Sequence, residues 1–137
     1  MSWNKQDLIP LDEIQDKVTD VTVKFAERFG KYLAQKEDFA EPLTTSQLRK
    51  FFGEVKRQQM TGYQETDFVM LKPKLAYAVG RAKNGKRKQM KIEDFYVVLA
   101  DAINKVNASA NKEKAFKNFI TIFEAIVAYH KAEEKSK

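Results

Sequence analysis

The sequence predicts an all-α protein, a single compact bundle of about five helices, and three observations carry that expectation. Apolar residues recur at steps of three and four in five separate stretches, whereas strand-like alternation never prevails. With five Gly and three Pro in 137 residues, the chain lacks the turn-formers that a β-sandwich or barrel needs. No internal repeat and no linker of domain-separating length interrupts the pattern, so residues 1–137 read as one helical-bundle domain.

The first helix is expected over residues 10–36. Pro10 suits an opening turn, and Leu11, Ile14, Val18, Val21, Phe25, Phe29 and Tyr32 follow on one face. Its middle, Val18 to Phe25, is β-branched and partly alternating, which also fits a strand. Gly30 costs roughly 1 kcal/mol relative to Ala inside a helix, so a bend or an early end is expected there. Pro42 breaks the pattern. Thr44, with Gln47 three residues on, then forms a capping box that opens a second helix over residues 45–60, with Leu48, Phe51, Phe52 and Val55 as its stripe. Thr66 or Asp67 caps a third helix over residues 66–84, with Phe68, Leu71, Leu75, Ala78 and Val79 inward. Pro73 leaves two solutions: a kinked continuous helix, or a short turn at residues 66–71 with the main helix beginning near the proline. Asn84-Gly85 closes this element ahead of a basic loop, Lys86 to Lys91. The fourth helix, residues 92–107, places Glu93 and Asp94 at its positive end and buries Phe95, Leu99, Ile103 and Val106. The fifth, residues 110–131, carries Phe116, Phe119, Ile120, Phe123, Ile126, Val127 and His130 as a stripe. Trp3 is expected to pin the N-terminus onto the bundle.

The net charge of +6 is uneven along the chain: residues 1–41 carry −3, residues 42–91 carry +9, and residues 92–137 are neutral. Such asymmetry suits an anionic partner, nucleic acid first and a membrane surface next; a solvated face is the plain alternative. Zero Cys and one His exclude disulfides, zinc ribbons, iron–sulfur clusters, thiol nucleophiles and histidine-rich metal sites, so no metal and no cofactor are expected. The opening MSWNKQDLIPLDEIQ lacks a basic end followed by an apolar stretch, and nowhere do 18 apolar residues run together. A cytoplasmic location without membrane association is therefore expected.

No catalytic constellation emerges, and an enzyme is not expected. Gly80 to Arg87 satisfies G-x-x-x-x-G-K, but Arg87 stands where a phosphate-binding loop needs Ser or Thr, and the preceding Leu75 to Val79 has helical spacing. The carboxylate pairs Asp12/Glu13, Glu93/Asp94 and Glu133/Glu134 are adjacent residues, which diverge on a helix; helix-dipole and solvation roles account for them. His130, near the end of the last helix, suits a core or capping role. Most Phe residues lie on stripes, which leaves Tyr63, beside Gly62 in a loop, as the aromatic singled out for stacking on a base.

What remains is the basic set. Arg49/Lys56 and Lys50/Arg57 are each seven residues apart, as are Lys74 and Arg81, and Lys83 decorates the same element. Two helices can thus present parallel cationic rows to phosphates, giving affinity with little sequence reading. Gly80 lets a phosphate or another backbone approach Arg81; a tight helix crossing is the equal alternative.

At these residues the sequence resembles the small subunit of the type III-A CRISPR (Csm) effector complex. The resembling segments are Thr44 to Lys50, Leu71 to Arg81, and Phe119 through Phe123 to Lys131, together covering roughly residues 44–131. The resemblance implies a non-catalytic, five-helix, RNA-binding structural subunit, several copies of which line a ribonucleoprotein filament in antiviral and anti-plasmid defence. Its implied partners are guide RNA and target RNA, contacted along the duplex backbone, the backbone and large subunits of the complex, and neighbouring copies of itself. In the family the backbone subunits cut target RNA, and the large subunit handles DNA cleavage and cyclic oligoadenylate synthesis. Arg49, Lys50 and Arg81 are the RNA contacts the resemblance implies; Lys56, Arg57, Lys74 and Lys83 rest on charge spacing alone. The resembling segments do not reach the first ~40 residues or the loop Lys86 to Lys91, whose roles stay open. Two other readings fit the charge: a helical DNA-binding module, and a protein-binding adaptor whose charge serves solubility. The acidic first third is a candidate contact surface for the basic middle of a neighbouring copy.

Overall fold

The fold is organised around its last helix. In the computed structural model, which describes residues 3–85 and 88–135, the order is α1 (Leu11–Gln15), α2 (Asp20–Ala34), β1 (Ala40–Glu41), α3 (Thr45–Thr61), α4 (Glu65–Val69), α5 (Leu71–Lys83), β2 (Gln89–Met90), α6 (Lys91–Asn107) and α7 (Lys112–Lys135). The class is all-α. β1 and β2 pair in parallel, Ala40 with Gln89 and Glu41 with Met90, as a two-residue clip between distant connections. Lys86 and Arg87 of the basic loop lie outside the described residues.

α7 contacts α1, α2, α3 and α6. Its stripe is buried as the spacing requires: Phe116, Phe119, Ile120, Phe123, Ile126, Val127 and His130 all face inward. A chain of ring contacts runs through the core, with Phe68 edge-on to Phe116 and Phe119 at 5.3 and 5.1 Å and Phe51 edge-on to Phe95 at 5.8 Å. Such geometry adds about 0.5–1.5 kcal/mol per pair beyond the area buried. Trp3 is buried, its ring tilted against those of Phe29 and Tyr32 at 4.8 and 4.9 Å.

The single first helix expected over residues 10–36 is two helices, and no strand forms over Val18 to Phe25. The cause is Glu13. Its carboxylate turns inward, 6% exposed, and accepts four hydrogen bonds, from Thr19 N–H (2.8 Å), Thr19 Oγ1 (2.7 Å), Thr22 N–H (3.1 Å) and Thr22 Oγ1 (2.6 Å). Those donors belong to the start of α2, where backbone N–H groups lack the carbonyl four residues back that a helix interior supplies. Burial pushes the Glu13 carboxyl up, but the bonds from Thr22 and Thr19 outweigh it and hold its pKa below the ordinary value. The solvation role expected for this residue is thereby corrected. On the other side of the joint, Asn118 of α7 donates to the carbonyls of Ile14 (2.9 Å) and Asp16 (3.1 Å) at the end of α1.

α2 runs on through Gly30 to Ala34. A Cβ at Gly30 would lie 2.8 Å from the Ile126 carbonyl oxygen and from Tyr129 Cβ, so this glycine is where α2 and α7 cross closely. The crossing role weighed for Gly80 falls to Gly30, since nothing lies within 4 Å of a Cβ at Gly80.

The third expected helix, residues 66–84, is likewise two. Of the two solutions for Pro73 the second holds: α5 starts at Leu71, so the proline sits in its first turn, where no helical N–H bond is lost. Asn84, in the left-handed region at φ 33°, ends α5 with its N–H on the Gly80 carbonyl at 3.0 Å.

Candidate nucleic-acid interface

Thr44 sets the direction of α3. Gln47 N–H donates to Thr44 Oγ1 (3.1 Å) and Thr44 N–H donates to Gln47 Oε1 (2.9 Å), the reciprocal box that the sequence predicts. α3 then packs on α7, while α5 packs on α6 through Leu71 and Leu75. The two helices hardly touch each other. Between them lies a groove of about 440 Å³, floored by Leu43, Phe51, Leu75, Ile92 and Phe95 and rimmed by Lys50, Glu54, Lys74, Tyr77 and Arg81.

One carboxylate spans the groove. Glu54 accepts from Arg57 Nη2 (2.6 Å) on its own helix and from Lys74 Nζ (3.4 Å) on α5, and also from Gln58 Nε2 (3.0 Å). The Arg57 hydrogen bond, reinforced by Gln58 and Lys74 against the cost of burial, holds the Glu54 carboxyl down to about 2. Gln58 Nε2 also donates to the Asp67 carbonyl at 3.1 Å, tying α3 to α4.

The seven cations expected to bind RNA divide among three places. Lys50, Lys74 and Arg81 line the groove, and Arg57 joins them through Glu54. Lys56 faces another flank of α3, bonded to Glu124 of α7 at 2.8 Å, and Arg49, one heptad earlier on the same line, is exposed. Lys83 is half-buried and paired with Glu93 at 3.3 Å. The two rows on α3 therefore look in different directions, and one of them faces α5.

Two expectations are corrected at the edges of this surface. Lys91, counted with the basic loop, is 0% exposed: its Nζ donates to the carbonyls of Tyr32 (2.6 Å) and Gln35 (2.7 Å), at the end of α2, and pairs with Glu37 at 3.1 Å. It closes a helix C-terminus and is absent from the surface. Tyr63 is half-buried, packed against Phe68 and Phe116 at 5.8 and 5.3 Å with its hydroxyl buried, so its ring leans on the core instead of standing free in a loop. The exposed aromatic among the cations is Tyr77, 69% exposed, with the Arg81 guanidinium 5.9 Å from its ring centre. A signal for it exists: positions 74, 77 and 81 step by three and four, so Lys74, Tyr77 and Arg81 share a face apart from the buried Leu71 and Leu75.

His130 is fully buried with Nε2 2.7 Å from the Leu43 carbonyl, so that nitrogen carries the proton and donates. Among the described residues no group of His, Asp and Glu could hold a metal ion, and no helix is long and apolar enough to cross a membrane. A family model described as Csm2 Type III-A matches residues 16–136. No curated protein and no solved structure matches the chain.

Proposed function

The chain belongs to the Csm2 type III-A family of CRISPR effector subunits, and from that membership we propose that it is the non-catalytic, RNA-binding structural subunit of its complex. It works in the cytoplasm, in defence against viruses and plasmids. The observation that carries this reading is the convergence of Lys50, Lys74 and Arg81, from two helices, on one groove, with Arg57 beside it through Glu54, in the segment that holds the whole charge excess. Cations on two separate supports can meet successive phosphates without touching a base edge. Sequence is then read by guide–target pairing, and this subunit needs only the backbone of an A-form duplex. Arg49, Lys56 and Lys83 extend the contact at its margins. Partners are guide RNA, target RNA, the backbone and large subunits, and neighbouring copies, whose head-to-tail contact joins the acidic first third of one to the basic middle of the next.

Titration of the isolated chain with an A-form RNA duplex at several salt concentrations tests the reading. Affinity is expected to fall steeply with salt, and the Lys50→Ala, Arg57→Ala, Lys74→Ala, Arg81→Ala combination to flatten that slope by roughly 0.9 for each phosphate left without its cation. Tighter binding of B-form DNA would favour the DNA-module reading, and salt-independent or absent binding the adaptor. For the contact between copies, Asp12→Lys with Asp16→Lys is expected to weaken assembly; Glu13 is left intact because it is buried at the α1–α2 joint.

A further inference from the structure

We infer that the groove between α3 and α5 is a site for one unpaired nucleotide, its base on the apolar floor against Tyr77 and its phosphate between the cations of the two helices. The inference rests on the RNA-binding reading and names the part of the RNA that the groove takes. A duplex backbone uses only the cations at the rim, because its bases are stacked inside the helix and present no face to a protein surface. The groove offers more than a rim. Its volume of about 440 Å³ lies within the ~300–1,000 Å³ of small-ligand sites, and the rings of Phe51 and Phe95 form part of its floor.

Tyr77 gives the floor its second wall. Its ring is 69% exposed, open to a ligand in the groove, and stands between Lys74 and Arg81 on one helical face. A nucleotide matches this pattern: a flat π face for the ring, attached to an anionic phosphate for Lys50, Lys74 and Arg81. The Glu54 carboxylate on the same rim is already engaged by Arg57 and Lys74, so the groove mouth beside Lys50 and Arg81 keeps its positive sign.

The experiment uses the full chain and two RNA duplexes of one sequence, the first carrying a single bulged 2-aminopurine, the second fully paired. The bulged duplex is expected to bind about tenfold more tightly, the scale of one base–aromatic stack, with quenched 2-aminopurine emission. Tyr77→Ala should erase both the preference and the quench, and Tyr77→Phe should keep them. Ala78→Leu, which narrows the groove, should also erase them while thermal melting stays unchanged. Equal binding of the two duplexes, or a preference that survives Tyr77→Ala, overturns the site and leaves the RNA-binding reading standing. Failure to bind either duplex at low salt overturns both.

Discussion

At Gly30 the missing Cβ is what lets α2 and α7 approach, and the helix propensity that glycine forfeits is small beside the clash a methyl group would cause with backbone atoms on α7. Gly30→Ala is expected to cost about 1–3 kcal/mol in urea unfolding, as overpacking does. Gly80→Ala meets open space in mid-helix and is expected to stabilise by about 0.5–1 kcal/mol. Two carboxylates differ in role but share one sign. Glu13 and Glu54 both titrate below the ordinary value of 4.5, Glu54 at about 2, so each contributes stability that is complete above pH 4.5 and is lost as pH falls through the lowered folded value. Acid unfolding followed by circular dichroism should therefore begin below about pH 4.5, and Glu13→Gln should flatten the pH dependence there. Glu54→Gln has a further effect: it removes the carboxylate that competes with phosphate for Arg57 and Lys74, so duplex affinity should rise several-fold and its salt slope steepen, which the same titrations measure.

Among the elements, the buried stripes of α3, α6 and α7 are legible in the sequence because each is set by apolar spacing, and burial follows spacing wherever a helix has one packed face. The break between α1 and α2 is not. Val18 and Val21 keep the helical period across it, and the interruption comes from a side chain that captures donors six and nine residues ahead, which no periodicity encodes. Lys91 is hidden from the sequence for a related reason. Charge counting places every lysine outside, whereas this one satisfies the last carbonyls of α2 and is anchored by Glu37. Lys91→Ala is expected to destabilise by about 3–5 kcal/mol, the cost of breaking a buried pair, and differential scanning calorimetry should show the lowered melting temperature. In the interface the rows are legible as seven-residue spacings, but not which row on α3 faces α5, because that depends on how α3 lies on α7. Tyr63 rather than Tyr77 draws attention in the sequence since a loop position suggests exposure, while the rings of Phe68 and Phe116 cover the loop tyrosine.

For the molecule as a whole, the division of charge coincides with a division of topology. The basic stretch leaves the frame at β1 and rejoins it at β2, and these are paired to each other, Ala40 to Gln89 and Glu41 to Met90. The frame is α1, α2, α6 and α7, held by the Glu13 joint, the Gly30 crossing and the Lys91 anchor. α3, α4 and α5 lie against that frame with little contact between α3 and α5 themselves. Hydrogen exchange is expected to show the amides of α3 to α5 opening together at a lower free energy than those of α2 and α7, as a cooperative unit smaller than the fold. The two-residue clip thus makes the cationic segment a closed excursion: its ends meet at one point on the scaffold, while Phe51 and Phe68 root it in the shared core, so its exposed charges can be exchanged freely but its inward rings cannot.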